Sequence, residues 1–335
     1  MERSKQVLTA VAGAIGLGAV GAAGASTIAY TSLTASSSHV WVMRGDGSEK
    51  DRLTGGTVVD LAPSLSPAGT RLVFVRRQAG ESDDLFRIGV GGSGLMRLSR
   101  TQVAEADPTW SPQGGLIAFS AGRAVGSSEL LVIEPDGTDR RRLTNNRVDD
   151  LDPAWAPNGT RLAFTRHVRG RNAEIYVTGA DGTGLRRLTN RSGADDSPAW
   201  SSTGWIAYVR RLEGRSELRL VRPNGTDNHR IVRANREISA PTWSPNGALL
   251  VFVLWDGNDT ELFRVSAIGT SLFRLTRNAV PDFGPVFGPQ GGRIAFTRVS
   301  GDGNDVWTML PSGTDKERLT SADAHEAVSD WGAGP

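Results

Sequence analysis

Short aliphatic runs ending in an aromatic residue recur at regular intervals along the chain: Leu72-Val73-Phe74, Ile117-Ala118-Phe119, Leu162-Ala163-Phe164, Ile206-Ala207-Tyr208, Leu250-Val251-Phe252 and Ile294-Ala295-Phe296. Before each run stands a large apolar residue framed by proline and a turn glycine, as in Pro108-Thr109-Trp110-Ser111-Pro112-Gln113-Gly114. The large apolar positions 65, 110, 155, 200, 243, 287 and 331 lie 45, 45, 45, 43, 44 and 44 residues apart. After each run comes a third apolar stretch such as Glu174-Ile175-Tyr176-Val177, rich in residues that suit a pleated, half-buried backbone. A glycine turn follows (Asp136-Gly137, Asp181-Gly182), and six residues beyond that glycine a Leu or Ile closes a short fourth stretch in every copy. Four strands in a period of about 40–45 residues predict the blades of a β-propeller.

The two ends complete the count. Thr27-Ile28-Ala29-Tyr30 matches the second strand of a period, His39-Val40-Trp41-Val42-Met43 the third and Asp51-Arg52-Leu53-Thr54 the fourth. The missing first strand stands at the other terminus, Val328-Ser329-Asp330-Trp331. The expectation is an all-β, seven-bladed propeller over residues 26–335, its last blade closed by N-terminal strands plus the C-terminal strand. Such closure removes the exposed edges that an open ring would leave.

Composition alters this picture little. Net charge is +2 over 335 residues, so no strong field points to nucleic acid. There is no cysteine, which excludes disulfides, a thiol nucleophile and a lipidated cysteine. Met1 to Lys5 is a short basic lead, Val7 to Ala25 carries no charge, and Ala23-Gly24-Ala25 is a small-residue cleavage signature. Residues 1–25 therefore read as a secretory signal peptide, or else as an uncleaved membrane anchor. Either places the remainder outside the cytoplasm, secreted or in the periplasm or cell envelope.

The combination Asp-x-x-Pro-x-Trp, Ile-Ala-Phe, Ile-Tyr-Val, Asp-Gly and Arg-Leu-Thr resembles the TolB-like, or WD40-like (PD40), propeller repeats. The third period states it most fully, from Asp150, Pro153 and Trp155 through Phe164, Glu174 and Tyr176 to Asp181, Gly182, Arg187, Leu188 and Thr189. The resemblance implies a propeller whose relatives bind peptide segments of partner proteins at one end of the channel. The same repeats also accompany prolyl-oligopeptidase-type hydrolases.

Three positions before the proline, six periods carry a carboxylate: Asp60, Glu105, Asp150, Asp195, Asp282 and Glu326. Two residues after the aromatic of the second strand stand Arg76, Arg166, Arg210 and Arg298, in the periods that have Asp. The fifth period replaces both with Ile238 and Leu254. Residues that come and go together predict charge-assisted pairs: Asp60–Arg76, Asp150–Arg166, Asp195–Arg210 and Asp282–Arg298. That leaves Glu105 and Glu326 as free acids. With Ile238, Leu254, Trp255 and Phe283, they form the candidate partner-binding face, an apolar break in a polar ring.

Other chemistry is sparse. Asp256-Gly257-Asn258-Asp259 and Asp302-Gly303-Asn304-Asp305 look like fragments of calcium loops without the later ligands. His39, His167, His229 and His325 fall in different periods without metal-ligand spacing, and no Gly-x-Ser-x-Gly elbow occurs. Trp110, Trp155, Trp200, Trp243 and Trp331 share one register and read as core, leaving Trp205, Trp255, Phe283 and Trp307 as off-register aromatics. The expectation is a monomeric, non-enzymatic scaffold for a protein or peptide partner, with no cofactor unless calcium. The alternatives are a propeller enzyme of sugar-lyase or lactonase type and a cell-wall carbohydrate-binding module.

Overall fold

The computed structural model describes residues 26–123, 127–168, 172–301, 303–321 and 324–334. The expected leader, residues 1–25, lies outside the described residues. All regular elements among them are strands, 28 in number, so no helix is long and apolar enough to cross a membrane.

The strands pair antiparallel in sets of four, in chain order. The third period shows the plan with strands Asp150–Trp155, Arg161–Val168, Asn172–Gly179 and Arg186–Arg187. Four such sets are separate sheets; three others run into one twelve-stranded sheet. The joins within it are single parallel pairs, Ser38 with Val59 and Asn304 with His325. In one set the first and last described strands meet. The strand His325–Ala333 lies antiparallel to Ser26–Leu33, with Ile28 opposite Trp331 and Ser26 opposite Ala333.

Contacts between sets give the arrangement. The first strand of each set touches the first strands of the sets on both sides, and this chain of contacts returns from His325–Ala333 to Val59–Leu65. The short fourth strands mainly touch their own third strand. First strands are therefore innermost and fourth strands outermost.

The apolar runs are continuous because each sheet is covered on both faces, the pattern more usual in parallel sheets. Side chains alternate along a strand, so Leu72 and Phe74 pack with Ala29, Val40 and Val42 of the set on one side. Val73 and Val75 pack with Trp110, Ile117 and Phe119 on the other. The core is thus a series of slabs between neighbouring sheets.

Tryptophan indoles fasten these slabs with polar bonds as well. Trp110, Trp155 and Trp243 donate Nε1–H to the carbonyls of Ser64, Thr109 and Ala199 in the preceding set, at 3.1, 3.1 and 3.0 Å. At the seam Trp331 donates instead to Ser26 Oγ, 2.9 Å away, and Asp330 Oδ2 accepts the Leu65 N–H at 2.8 Å.

Every first strand of an uninterrupted set bulges just before its proline. The residue preceding that proline takes a left-handed φ: Ala62 at 48°, Asp107 at 53°, Asp152 at 54°, Ser197 at 55°, Ala240 at 48° and Gly284 at 59°. The ladder shifts register at the same place, for example between Leu151 and Ala154. Proline cannot donate to the ladder, and the bulge absorbs that gap.

Candidate functional site

The carboxylates that open the first strands face arginines on the second because register puts them opposite one another. Asp60 pairs across the ladder with Arg76, Asp150 with Arg166, Asp195 with Arg210 and Asp282 with Arg298. Each arginine grips its carboxylate as a two-pronged fork. Nε and Nη2 donate at 2.7 and 2.9 Å in the first pair, 2.6 and 2.7 Å in the second, 2.6 and 2.6 Å in the third, and 2.6 and 2.8 Å in the fourth. All four aspartates are fully buried. The guanidiniums also lie over aromatic rings: Arg76 is 5.0 Å from the Phe86 centroid and Arg166 is 4.6 Å from that of Tyr176. Burial still lifts the Asp195 carboxyl above its ordinary range, even with Arg210 beside it.

The candidate partner-binding face is largely interior. Glu105 is not a free acid: it is 1% exposed and accepts from Ser99 Oγ, from Leu85 N–H at 3.1 Å and from Arg140 Nη2 at 3.1 Å. Two of those donors belong to the preceding set, so a single aligned position could not reveal them. Glu326 is also buried, with Oε2 lacking a hydrogen-bond partner, and burial raises its pKa. Ile238 is fully buried in the slab between the fourth and fifth sets, with Leu254 packed against the same cluster. Phe283 packs against the next slab. The apolar exchange at Ile238 and Leu254 is therefore a repacked core pair, not an exposed patch. Trp255 alone of the six is exposed, at 42%.

A second set of charge pairs was legible in the sequence but went unread. At or near the start of the third strands stand Asp84, Glu129, Glu174, Glu217, Glu261 and Asp305, and an arginine stands thirteen residues later in each case. Arg187, Arg230, Arg274 and Arg318 meet their acids at 2.6–3.2 Å, and Arg97 meets Asp84; in the second set Arg142 turns to Asn145 instead. In the composite set His39 takes the acid's place, thirteen residues before Arg52. Its pKa is lowered, by burial first and by Arg52 next.

The bulges place more acid on the inner ring. Asp107 and Asp152, at left-handed positions, have no arginine partner among the described residues; Asp196 is forked by Arg211 at 2.6 and 3.2 Å. Although its side chain is exposed to the channel, the surrounding protein raises the pKa of Asp152, mainly by desolvation, with Thr165 opposing the shift and the charges of Asp107 and Asp196 adding to it.

Trp255 sits over a groove between the fourth and fifth sets, of about 440 Å³, lined by Arg211, Arg215, Ser216, Asn235, Arg236 and Glu237. Arg236 lies over the indole, 5.5 Å from its centroid. Arg211 is committed to Asp196 and Glu237, whereas Arg215 and Arg236 have no ion-pair partner among the described residues. The other off-register aromatics are not available in this way. Trp205 packs into the same slab under Arg222, whose Cζ is 3.6 Å from the ring centroid, and Trp307 packs under Arg298. Of the two calcium-like loops, Asp256 and Asp259 come together with Glu261, while Asp302 lies outside the described residues.

Comparison with known proteins follows the geometry. The family described as the TolB beta propeller domain matches residues 20–149 and 196–334. No curated protein matches the chain at a significant level. Among solved structures, TolB from Acinetobacter baumannii superposes with a TM-score of 0.61 at 16% identity, covering 92% of this chain and 82% of its own. An oligogalacturonate lyase in complex with manganese gives 0.66 at 11% identity, covering 89% and 86%. A puromycin-hydrolysing peptidase of Mycobacterium tuberculosis gives 0.65 at 15% identity, covering 89% and 54%. Identities this low speak to fold and not to activity. With its strands grouped in antiparallel sets of four and a family match over most of its length, the chain belongs to the TolB β-propeller family.

Proposed function

We propose that this chain is an extracytoplasmic, seven-bladed TolB-like propeller that acts as a non-enzymatic scaffold for a protein or peptide partner. The observation that carries the reading is the Trp255 groove: an exposed indole flanked by Arg215 and Arg236, whose charges are unpaired among the described residues. Aromatic and arginine side chains grouped in this way are the residues that dominate protein recognition. The groove lies on the face where second strands run into third strands, so the rigid ring holds loops of two blades in fixed relation. The partner this chemistry selects is a segment presenting an apolar side chain next to a carboxylate.

The test is affinity capture from envelope extract with the wild-type chain, Trp255→Ala and Arg236→Glu. One captured partner, lost at least tenfold with either variant, supports the reading; capture unchanged by both variants sinks it. The fold shared with an oligogalacturonate lyase favours a second reading, in which the same indole and arginines hold an acidic sugar. Titration with oligogalacturonate separates the two: saturable binding and bond cleavage would replace the scaffold by an enzyme.

A further inference from the structure

The turn between second and third strands of the fifth set gathers acids as no other described turn does. Asp256, Asp259 and Glu261 each bring one oxygen within 4.8 Å of the others. The position of Asp259 holds Ser37, Ser82, Ser127, Asn172, Arg215 and Gly303 in the other repeats. Repetition therefore does not require a carboxylate there.

Two oxygens in this cluster lack partners. Glu261 is fully buried; its Oε1 accepts from Asn278 N–H and Arg274 Nη2, both at 2.8 Å, while Oε2 has none. Asp259 is 8% exposed, and its Oδ1 is likewise buried without a partner. Buried carboxylate oxygens without a donor are costly, and in a native protein they call for a counter-ion or a water. Among the described residues, the only guanidinium bonded to the cluster is that of Arg274, which is 2.8 Å from both Asp256 and Glu261. Three carboxylates and one guanidinium leave a net charge of −2. Asp282 of the next set, whose charge also acts on Asp259, is already paired with Arg298.

We propose that Asp256, Asp259 and Glu261 form a binding site for one hard divalent cation of the calcium or magnesium type. All donors are anionic oxygens, which suit hard cations and disfavour copper or other soft metals. One such ion balances the residual charge and gives both orphaned oxygens a partner. Asp256 Oδ1 already accepts Asn258 N–H at 3.0 Å, which fixes the turn around the site. The assignment is independent of the Trp255 groove and of any partner.

The test uses the full chain, stripped with EDTA and titrated with calcium chloride and, separately, magnesium chloride, followed by calorimetry and thermal unfolding. We expect one-site binding of at least one of the two ions. At a hundredfold excess over Kd, the unfolded-to-folded ratio should fall about 100-fold. Asp259→Ser, which installs the residue found in three other repeats, should abolish both responses while the stripped variant melts no lower than the stripped wild type. Asp181→Asn, at an exposed hairpin turn, should bind as wild type does. Absence of binding by both ions, or unchanged binding in Asp259→Ser, overturns the site, as does equal loss in Asp181→Asn.

Discussion

At the scale of single residues, the four buried forks show when a charge pair can be exchanged for oil. Removing one partner strands the other charge in a dry site, so Arg76→Leu alone should cost about 3–5 kcal/mol. The fifth repeat demonstrates the alternative, since Ile238 and Leu254 occupy the same paired positions within the core. The double variant Asp60→Ile/Arg76→Leu should therefore recover most of that loss, falling within about 1–2 kcal/mol of wild type. Urea unfolding of the two variants measures this, and equal instability of single and double variants would contradict it.

Asp152 is the converse case, an acid held without a fork. Its folded pKa is raised above the unfolded value, chiefly by desolvation. Ionisation therefore costs stability as pH rises from the ordinary carboxylate range through the folded pKa, and that cost persists at neutral pH. The Asp152 side chain is exposed on the channel side, so water screens the effect: Asp152→Asn should stabilise the protein only slightly at pH 7, with the gain vanishing as pH falls below the ordinary range for aspartate. Asparagine tolerates the left-handed φ of 54°, so the backbone itself does not oppose the exchange. Melting curves of both proteins from pH 3 to pH 7 are the measurement.

Elements are where the sequence speaks most clearly. The strand period, the glycine turns and the four forks could be read because each recurs at a constant or nearly constant offset, and the repeats act as internal controls for one another. The fate of Glu105 could not be read that way, since its donors Leu85 and Ser99 belong to the preceding set and Arg140 to the turn just before the strand Arg141–Arg142. The burial of Ile238 hid for the same reason: its neighbours come from the adjoining set. Comparing repeats reveals contacts within a sheet and misses contacts between sheets.

The seam between chain ends is the element most open to test. Trp331 is 6% exposed, packs with Ile28, Tyr30 and Met43, and donates to Ser26 across the join. Trp331→Ala should cost about 3–5 kcal/mol. Gly69 lies against the same strand: a Cβ there would come 1.6 Å from the Ala333 carbonyl oxygen, and its φ is 67°. Gly69→Ala should thus weaken the same join, and hydrogen exchange should accelerate in residues 325–333 ahead of the other first strands.

For the whole molecule, the cycle of first-strand contacts turns many modest interfaces into one cooperative body, each slab shared by two sheets. Loops of neighbouring sets stay in fixed relation, which lets Trp255 and Arg236 from one set and Arg215 from another line a single groove.

The same seam has a mechanical side. Ser26 and Ala333 are opposite partners at one extremity of their antiparallel pair. Tension applied through them would open that pair one rung at a time, as a zipper parts, and would not load all its hydrogen bonds in shear together. The ring closed by this pair is therefore soft to a tug applied at Ser26 and Ala333.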